Sequence, residues 1–342
     1  MLHDLKISGF RCFHELRVPL LKRVNLFVGR NRAGKTTILE AAELLALGRP
    51  EGLWLSPRRR GELITLNHNR TEAEVDPQYL FYRDVVESGL WWDDGHSFSL
   101  ESHDRSFECT VAPREDLIVP AAPGTPPIFF KLRVRSRVGS QPEKVWYVNL
   151  SSADGLLGPD RLSEEPPIVS FLGTDEPKLN ELWDNALKKS QDHRVVEALK
   201  LLVPEIGSLV LVGGRFLVRT WGAAVPLGTF GDGVKRLLAL SLKIVSAEGG
   251  IVLIDEIEAG LHHTVMVDMW KLVIETARRL NVQVLASTHS LDCVNALGWV
   301  QEQNRVLAAE VAVHRVEQDA VETVEYSIDE IATATRHQLE IR

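Results

Sequence analysis

GRNRAGKTT, residues Gly29 to Thr37, lies between an apolar run, Val24 to Val28, and a helical one, Lys35 to Leu47. It fits the pattern GxxxxGK[ST], and a strand before it with a helix after it is the setting that pattern needs. The glycines allow a tight loop whose backbone N–H groups surround phosphate oxygens, and the positive end of the following helix favours the anion. Gly29, Arg30, Asn31, Arg32, Ala33, Gly34 and Thr37 are therefore candidate cradle residues. Lys35 is placed to reach β- and γ-phosphates, and Thr36 to offer a hydroxyl to magnesium. The helix carries apolar residues at Ile38, Leu39, Ala42 and Leu45, with Gly48 as a stop signal and Pro50 just beyond it.

Working outward, the next informative stretch is Ile251 to Glu256, four apolar residues and then Asp255-Glu256. Beside a phosphate loop, a carboxylate at the end of a neighbouring strand holds magnesium, and an adjacent acid can orient or deprotonate the attacking water. Asp255 takes the first role and Glu256 the second. A further buried strand, Val282 to Ala286, runs into Ser287-Thr288-His289-Ser290, which puts His289 at the carboxyl end of a sheet strand, where ligands of α/β folds bind. The helical stretch Thr264 to Leu280 between these strands makes a right-handed βαβ crossover the natural connection. The fold class expected is α/β, a P-loop NTPase with parallel strands.

The 342 residues allow one large domain or two medium ones, with no need for disulfide or metal staples. Composition is that of an ordinary globular protein, 44% hydrophobic and 25% charged. A net charge of -8 excludes a generally basic nucleic-acid coat protein, so any nucleic-acid contact must be local. Three scattered cysteines, Cys12, Cys109 and Cys293, form no zinc framework and suggest reduced thiols. No signal-peptide pattern opens the chain and no apolar run reaches the ~18–20 residues of a membrane span, so a cytoplasmic protein without a membrane partner is expected.

From Leu5 to Gly29 the text reads as two or three short strands. Residues 49–167 change character, with prolines and glycines punctuating alternating segments such as SFSLESH and SFECTVA, and read as a β-rich insertion. Beyond Ile168 come helical patterns near Lys178 to Ser190 and Arg194 to Leu202, a β segment at Ser208 to Thr220 and a long helix from about Asp232.

The order of strand, phosphate loop, insertion, Asp-Glu strand and histidine strand resembles the ABC-type ATPases of the SMC, RecF and OLD group, most of all an OLD-like AAA family head without a TOPRIM domain. The resemblance implies ATP and Mg2+ as cofactors and assigns residues 1–48 and 168–342 to an ATPase head, its N-lobe holding the phosphate loop. The C-lobe holds a signature sequence, the Asp-Glu strand and the histidine switch. The stretch matching the signature, Thr229 to Arg236, contains Gly231-Asp232-Gly233 and precedes an apolar helix. In this family that element meets the γ-phosphate bound by a partner subunit. Asp232 stands either at that contact or as the cap of the helix, and Lys235 or Arg236 would offset its charge. Phe10-Arg11-Cys12-Phe13 looks like the FRxF of these proteins, whose basic residue, here Arg11, lies near the nucleotide. Ala259-Gly260-Leu261-His262 looks like their D-loop.

The same resemblance implies a homodimer or larger homo-oligomer closed around ATP, a separately encoded effector such as a nuclease or toxin, and work on DNA, as in prokaryotic anti-phage defence. A RecF-like repair ATPase and a nucleotide-gated scaffold with little turnover are the alternatives. No NKxD-like motif is present, which favours ATP over GTP, and the stretch after His289 is too short for a TOPRIM domain. Within the insertion, Lys131 to Val138 alternates strictly, so a strand there would place Lys131, Arg133, Arg135 and Arg137 on one face, either a solvated surface or one that tracks phosphates. Arg58, Arg59, Arg60 and Arg70 could extend that patch. The acidic and histidine cluster Asp93, Asp94, His96, His103 and Asp104 has no metal-site spacing and reads as a polar loop.

Overall fold

The computed structural model describes residues 1–64, 74–75, 77–82, 96–111, 132–148, 156–157, 169–173, 179–201, 203–220, 224–231, 233–337, 339 and 341. In chain order, β1 (Leu5–Phe10) and β2 (Phe13–Val18) form a hairpin, β3 (Val24–Val28) feeds α1 (Lys35–Leu47), and α2 (Leu55–Arg60) and the short pair β4 (Leu63–Ile64) and β5 (Glu74–Val75) follow. The strands β6 (Ser97–Ser102), β7 (Arg105–Val111), β8 (Leu132–Val138), β9 (Lys144–Val148) and β10 (Leu156–Leu157) come next. Then come β11 (Val169–Leu172), α3 (Leu179–Lys188), α4 (Asp192–Lys200), β12 (Ser208–Val212), β13 (Arg215–Arg219), β14 (Ala224–Pro226) and α5 (Gly233–Ser246). The chain continues through β15 (Ile251–Ile254), α6 (Met266–Arg279), β16 (Gln283–Ser287), α7 (Leu291–Gln303), α8 (Arg305–Ala308), β17 (Val311–Arg315), β18 (Val324–Tyr326) and α9 (Ile328–Arg336).

Two sheets organise these elements. One has the order β11-β15-β16-β3-β17-β18, parallel as far as β17, with β18 antiparallel at the edge. Its central strands are apolar on both faces because both faces are covered, as parallel sheets require. The other is antiparallel, β10-β9-β8-β7-β6-β1-β2. Its junction is the pairing of Ile7 with Leu100, so the opening hairpin and the strands of 97–148 form one continuous surface. Helix α1 packs against strands of both sheets. That position explains why it is buried nearly all round, including Glu40 and Glu43, which periodicity alone would assign to a solvent face.

The β segment expected at Ser208 to Thr220 is the β12–β13 hairpin. Gly213 and Gly214 have φ of 54° and 77°, the double left-handed turn that suits the twist of the flanking strands. Two apolar clusters result. The larger lies where α3 to α7 and α9 cover the parallel sheet, and it includes Trp270, whose indole N–H donates to the carbonyl of Cys293 at 2.9 Å. The second fills the space between the antiparallel sheet and α1.

On β8, Arg133, Arg135 and Arg137 share one face and alternate with the buried Leu132, Val134 and Ser136. Glu108 stands directly opposite Arg135 and pairs with it at 3.8 Å, so carboxylate interrupts the basic row. Arg59 and Arg60 are exposed but reach back to carboxylates on α1. Arg60 donates to Glu40 at 2.8 and 2.9 Å and Arg59 pairs with Glu43, so carboxylates partly neutralise their charge. Lys131, Arg70, Asp93 and Asp94 lie outside the described residues. Among the described residues no cluster of histidine, cysteine and carboxylate has the makings of a metal site, and no helix is long and apolar enough to cross a membrane.

Candidate functional site

The loop after β3 closes against the β1–β2 turn. Gly34 has φ of 96°, and a Cβ there would lie 2.3 Å from Cζ of Phe13, so both the backbone conformation and the close approach of the ring demand glycine. Lys35 follows as the first residue of α1. Its Nζ donates to the carbonyls of Gly29 and Arg30 at 2.7 and 2.9 Å, which folds the side chain across the loop. Burial lowers the pKa of Lys35, and Asp255, Glu256 and Glu258 act against that shift.

β15 and β16 deliver the acidic side of the site. The Thr36 hydroxyl donates to Asp255 at 3.0 and 3.2 Å, and the Ser287 hydroxyl donates to the same carboxylate. Asp255 is thus held between α1 and the end of β16. Glu256 adopts φ of 48°, a left-handed conformation uncommon in a non-glycine residue, and its N–H donates to the Ser287 hydroxyl at 2.9 Å. Such strain collects at functional sites, where surrounding bonds over-determine it. Here the Ile257 N–H to the Ser287 carbonyl, 3.0 Å, adds to the constraint. His289 brings Nδ1 to 3.5 Å from Oε1 of Glu256.

These residues share one cleft of about 630 Å3 lined by Asn31, Arg32, Gly34, Lys35, Thr36, Thr37, Asp255, Glu256, Ser287 and His289. That volume suits a small-molecule ligand. The other wall comes from the β1–β2 turn and the segment after α1, with Arg11, Cys12, Arg60, Glu62, Tyr79 and Phe81. Arg11 therefore reaches the same cleft, but its guanidinium is bonded to both oxygens of Glu62 at 2.9 and 3.1 Å and to the Ser56 hydroxyl at 2.9 Å. Gly231 and Gly233 do not line this cleft. Gly233 packs beside Leu261 at the start of α5, and Asp232 lies outside the described residues. Ala33 is buried within the loop.

Glu258 escaped the sequence, and Arg236, expected there only as a charge offsetting Asp232, makes bonds the sequence did not suggest. Arg236 is buried, and its guanidinium donates to the carbonyl of Gly173 at 2.9 Å and to those of Asp255 and Glu256 at 3.4 and 3.1 Å. It ties the start of α5 to the exit of β15, while Lys235 is exposed. Glu258 is buried behind His289, whose N–H it accepts at 3.2 Å. The one available signal was a third acid, Glu258, two places beyond a strand-end Asp-Glu.

The donor chemistry fits magnesium and a phosphate chain. Thr36 and Asp255 present hard oxygen donors side by side, with the Lys35 ammonium folded across the same loop. Fold and site together define a P-loop nucleotide-binding domain. Residues 24–294 match the family described as "AAA domain, putative AbiEii toxin, Type IV TA system", and the chain belongs to that family.

Short stretches are also similar to proteins named DNA replication and repair protein RecF. Identity is 42% over 45 residues with that of Clostridium tetani, covering 13% of this chain and 12% of the relative. It is 34% over 71 residues with that of Clostridium kluyveri, covering 21% and 18%. The chain thus spans less than a fifth of the length of either relative. Among solved structures, the SMC head domain from Thermotoga maritima aligns over 95% of this chain and 98% of its own, with a TM-score of 0.46 and 16% identity. An Smc head domain with an extended coiled coil, bound to the C-terminal domain of ScpA from Pyrococcus furiosus, aligns over 98% and 99%, with a TM-score of 0.49 and 12% identity. The match over residues 24–294 carries the family assignment.

Proposed function

We propose that this chain binds and hydrolyses ATP, closes as a homodimer around the nucleotide, and uses that cycle to gate a separately encoded, DNA-associated effector, a nuclease or toxin, in prokaryotic defence. The observation that carries the catalytic part is the convergence of Lys35, Thr36, Asp255, Glu256 and His289 on one cleft. Loop N–H groups and Lys35 bind and orient the β- and γ-phosphates. Magnesium held by Thr36 and Asp255 would neutralise charge on those phosphate oxygens. Glu256 takes a proton from the attacking water, the new O–P bond forms at the γ-phosphorus, and ADP departs with the electrons of the broken bond. His289, at the rim beside Glu256, stabilises the charge of the transferring group.

Gly231 and Gly233 do not line the cleft that holds Lys35, which favours a partner's nucleotide as the target of this stretch. The family description, with its toxin and type IV system, favours the defence reading. RecF-like repair is the second reading, and the two Clostridium similarities favour it. Phosphate release by wild type, Glu256→Gln and Lys35→Ala tests the catalytic core. Glu256→Gln is expected to retain ATP binding with turnover reduced about a hundredfold or more, and Lys35→Ala to lose both. Wild-type turnover in Glu256→Gln would remove Glu256 from the role of base.

A further inference from the structure

Glu258 follows the buried Ile257 and is only 7% exposed. A carboxylate taken so far out of water is costly unless its oxygens find donors. Oε1 does so in part. It accepts the His289 N–H at 3.2 Å and lies 3.6 Å from Nδ1 of the same residue. Oε2 is buried with no hydrogen-bond partner. A buried oxygen left unpaired is unfavourable, so stability alone does not account for a carboxylate at this place.

What Glu258 does touch is the end of the site. Nδ1 of His289 lies between two carboxylates, 3.5 Å from Glu256 and 3.6 Å from Glu258. Both separations are longer than a formed hydrogen bond and of the kind that tightens in a catalytic complex. The charge on Glu258 also acts on Lys35 and on Arg236, which clasps the carbonyls of Asp255 and Glu256.

We infer that Glu258 is a positioning residue of the hydrolytic site: by bonding the backbone of His289 it fixes where the imidazole stands relative to Glu256, with Nδ1 turned toward the carboxylates. This rests on the hydrolytic reading of the site. Glu258 touches no reacting atom. It acts through His289, and its contribution belongs to turnover rather than to nucleotide affinity. Reach, rather than charge, is the property that matters.

The test uses the full chain with Mg-ATP and compares wild type with Glu258→Ala, Glu258→Asp and Glu258→Gln. Three quantities are read: kcat, ATP affinity by displacement of a fluorescent ATP analogue, and the ring-nitrogen signals of His289 by 15N NMR, assigned with His289→Asn. Glu258→Ala and Glu258→Asp, which cannot reach the His289 N–H, are expected to lose about tenfold or more in kcat with affinity changed less than about threefold. Both should shift the His289 nitrogens. Glu258→Gln keeps an acceptor of the same length and should stay within about threefold of wild type. If Glu258→Ala fails to fold, Glu258→Asp decides the matter. Wild-type kcat in the aspartate variant, or a glutamine variant as impaired as the alanine one, overturns the inference. If wild type releases no more phosphate than Lys35→Ala, the hydrolytic reading fails on its own. The His289 signals then decide the inference, and unchanged signals in Glu258→Asp overturn it.

Discussion

His314 stands in β17 beside the strand that carries the phosphate loop, fully buried, stacked on Phe27 at 5.3 Å, with neither ring nitrogen hydrogen-bonded. Burial, with a smaller contribution from Lys22, pushes its pKa down to about 4 from an ordinary 6.5. The unfolded chain therefore takes up a proton near pH 6.5 that the folded chain refuses until about pH 4. Stability from this residue is present above pH 6.5 and is lost as pH falls toward 4, by up to about 3 kcal/mol. Urea unfolding at pH 7.5 and pH 5 should show wild type losing more stability than His314→Phe across that interval. Equal losses in the two proteins would place the acid sensitivity elsewhere.

Single residues were legible where their chemistry is local. Lys35, Thr36, Asp255, Glu256 and His289 are read from motifs a few residues long, and the fold brings all five to one cleft. The bonds of Arg236 and the place of Glu258 were not, because the atoms they bond belong to strand ends and a turn brought together only by the parallel sheet.

Among the elements, α1 joins the two halves of the fold and is also the helix that presents Lys35 and Thr36. Glu40, buried on its flank, accepts hydrogen bonds from Arg60 of α2 at 2.8 and 2.9 Å and forms an ion pair with Arg11 of the β1–β2 turn, 2.8 Å away. Removing one member of a buried ionic group strands the others, so Glu40→Ala is expected to lower unfolding free energy by about 3–5 kcal/mol. Denaturant titration checks it. A change below about 1 kcal/mol would mean that water already solvates this group.

Elements with strong local periodicity were legible almost to the residue, as in Val24–Val28 and Lys35–Leu47. The pairing of Arg59 and Arg60 with Glu43 and Glu40 was hidden because those acids sit on α1, and charge on a helix gives no sign of which neighbours will meet it. The pairing of β1 with β6 was equally hidden, since strand partners far apart in sequence are chosen by register and burial rather than by any local signal.

For the whole molecule, the parallel sheet gathers the phosphate loop, the Asp255–Glu256 pair and His289 at the carboxyl ends of its strands. Gly231 and Gly233, at the start of α5, do not line that cleft. On the proposed account a second copy supplies this stretch to complete the site, and ATP is the ligand that shifts the equilibrium toward the closed pair. A variant that binds ATP without splitting it should accumulate in that state. The direct measurement is molar mass by light-scattering chromatography of wild type and Glu256→Gln, each with and without Mg-ATP. The account predicts that Glu256→Gln with Mg-ATP doubles its mass or enlarges an existing assembly and that wild type does so only transiently. A Glu256→Gln protein that binds ATP at unchanged mass would contradict the composite site.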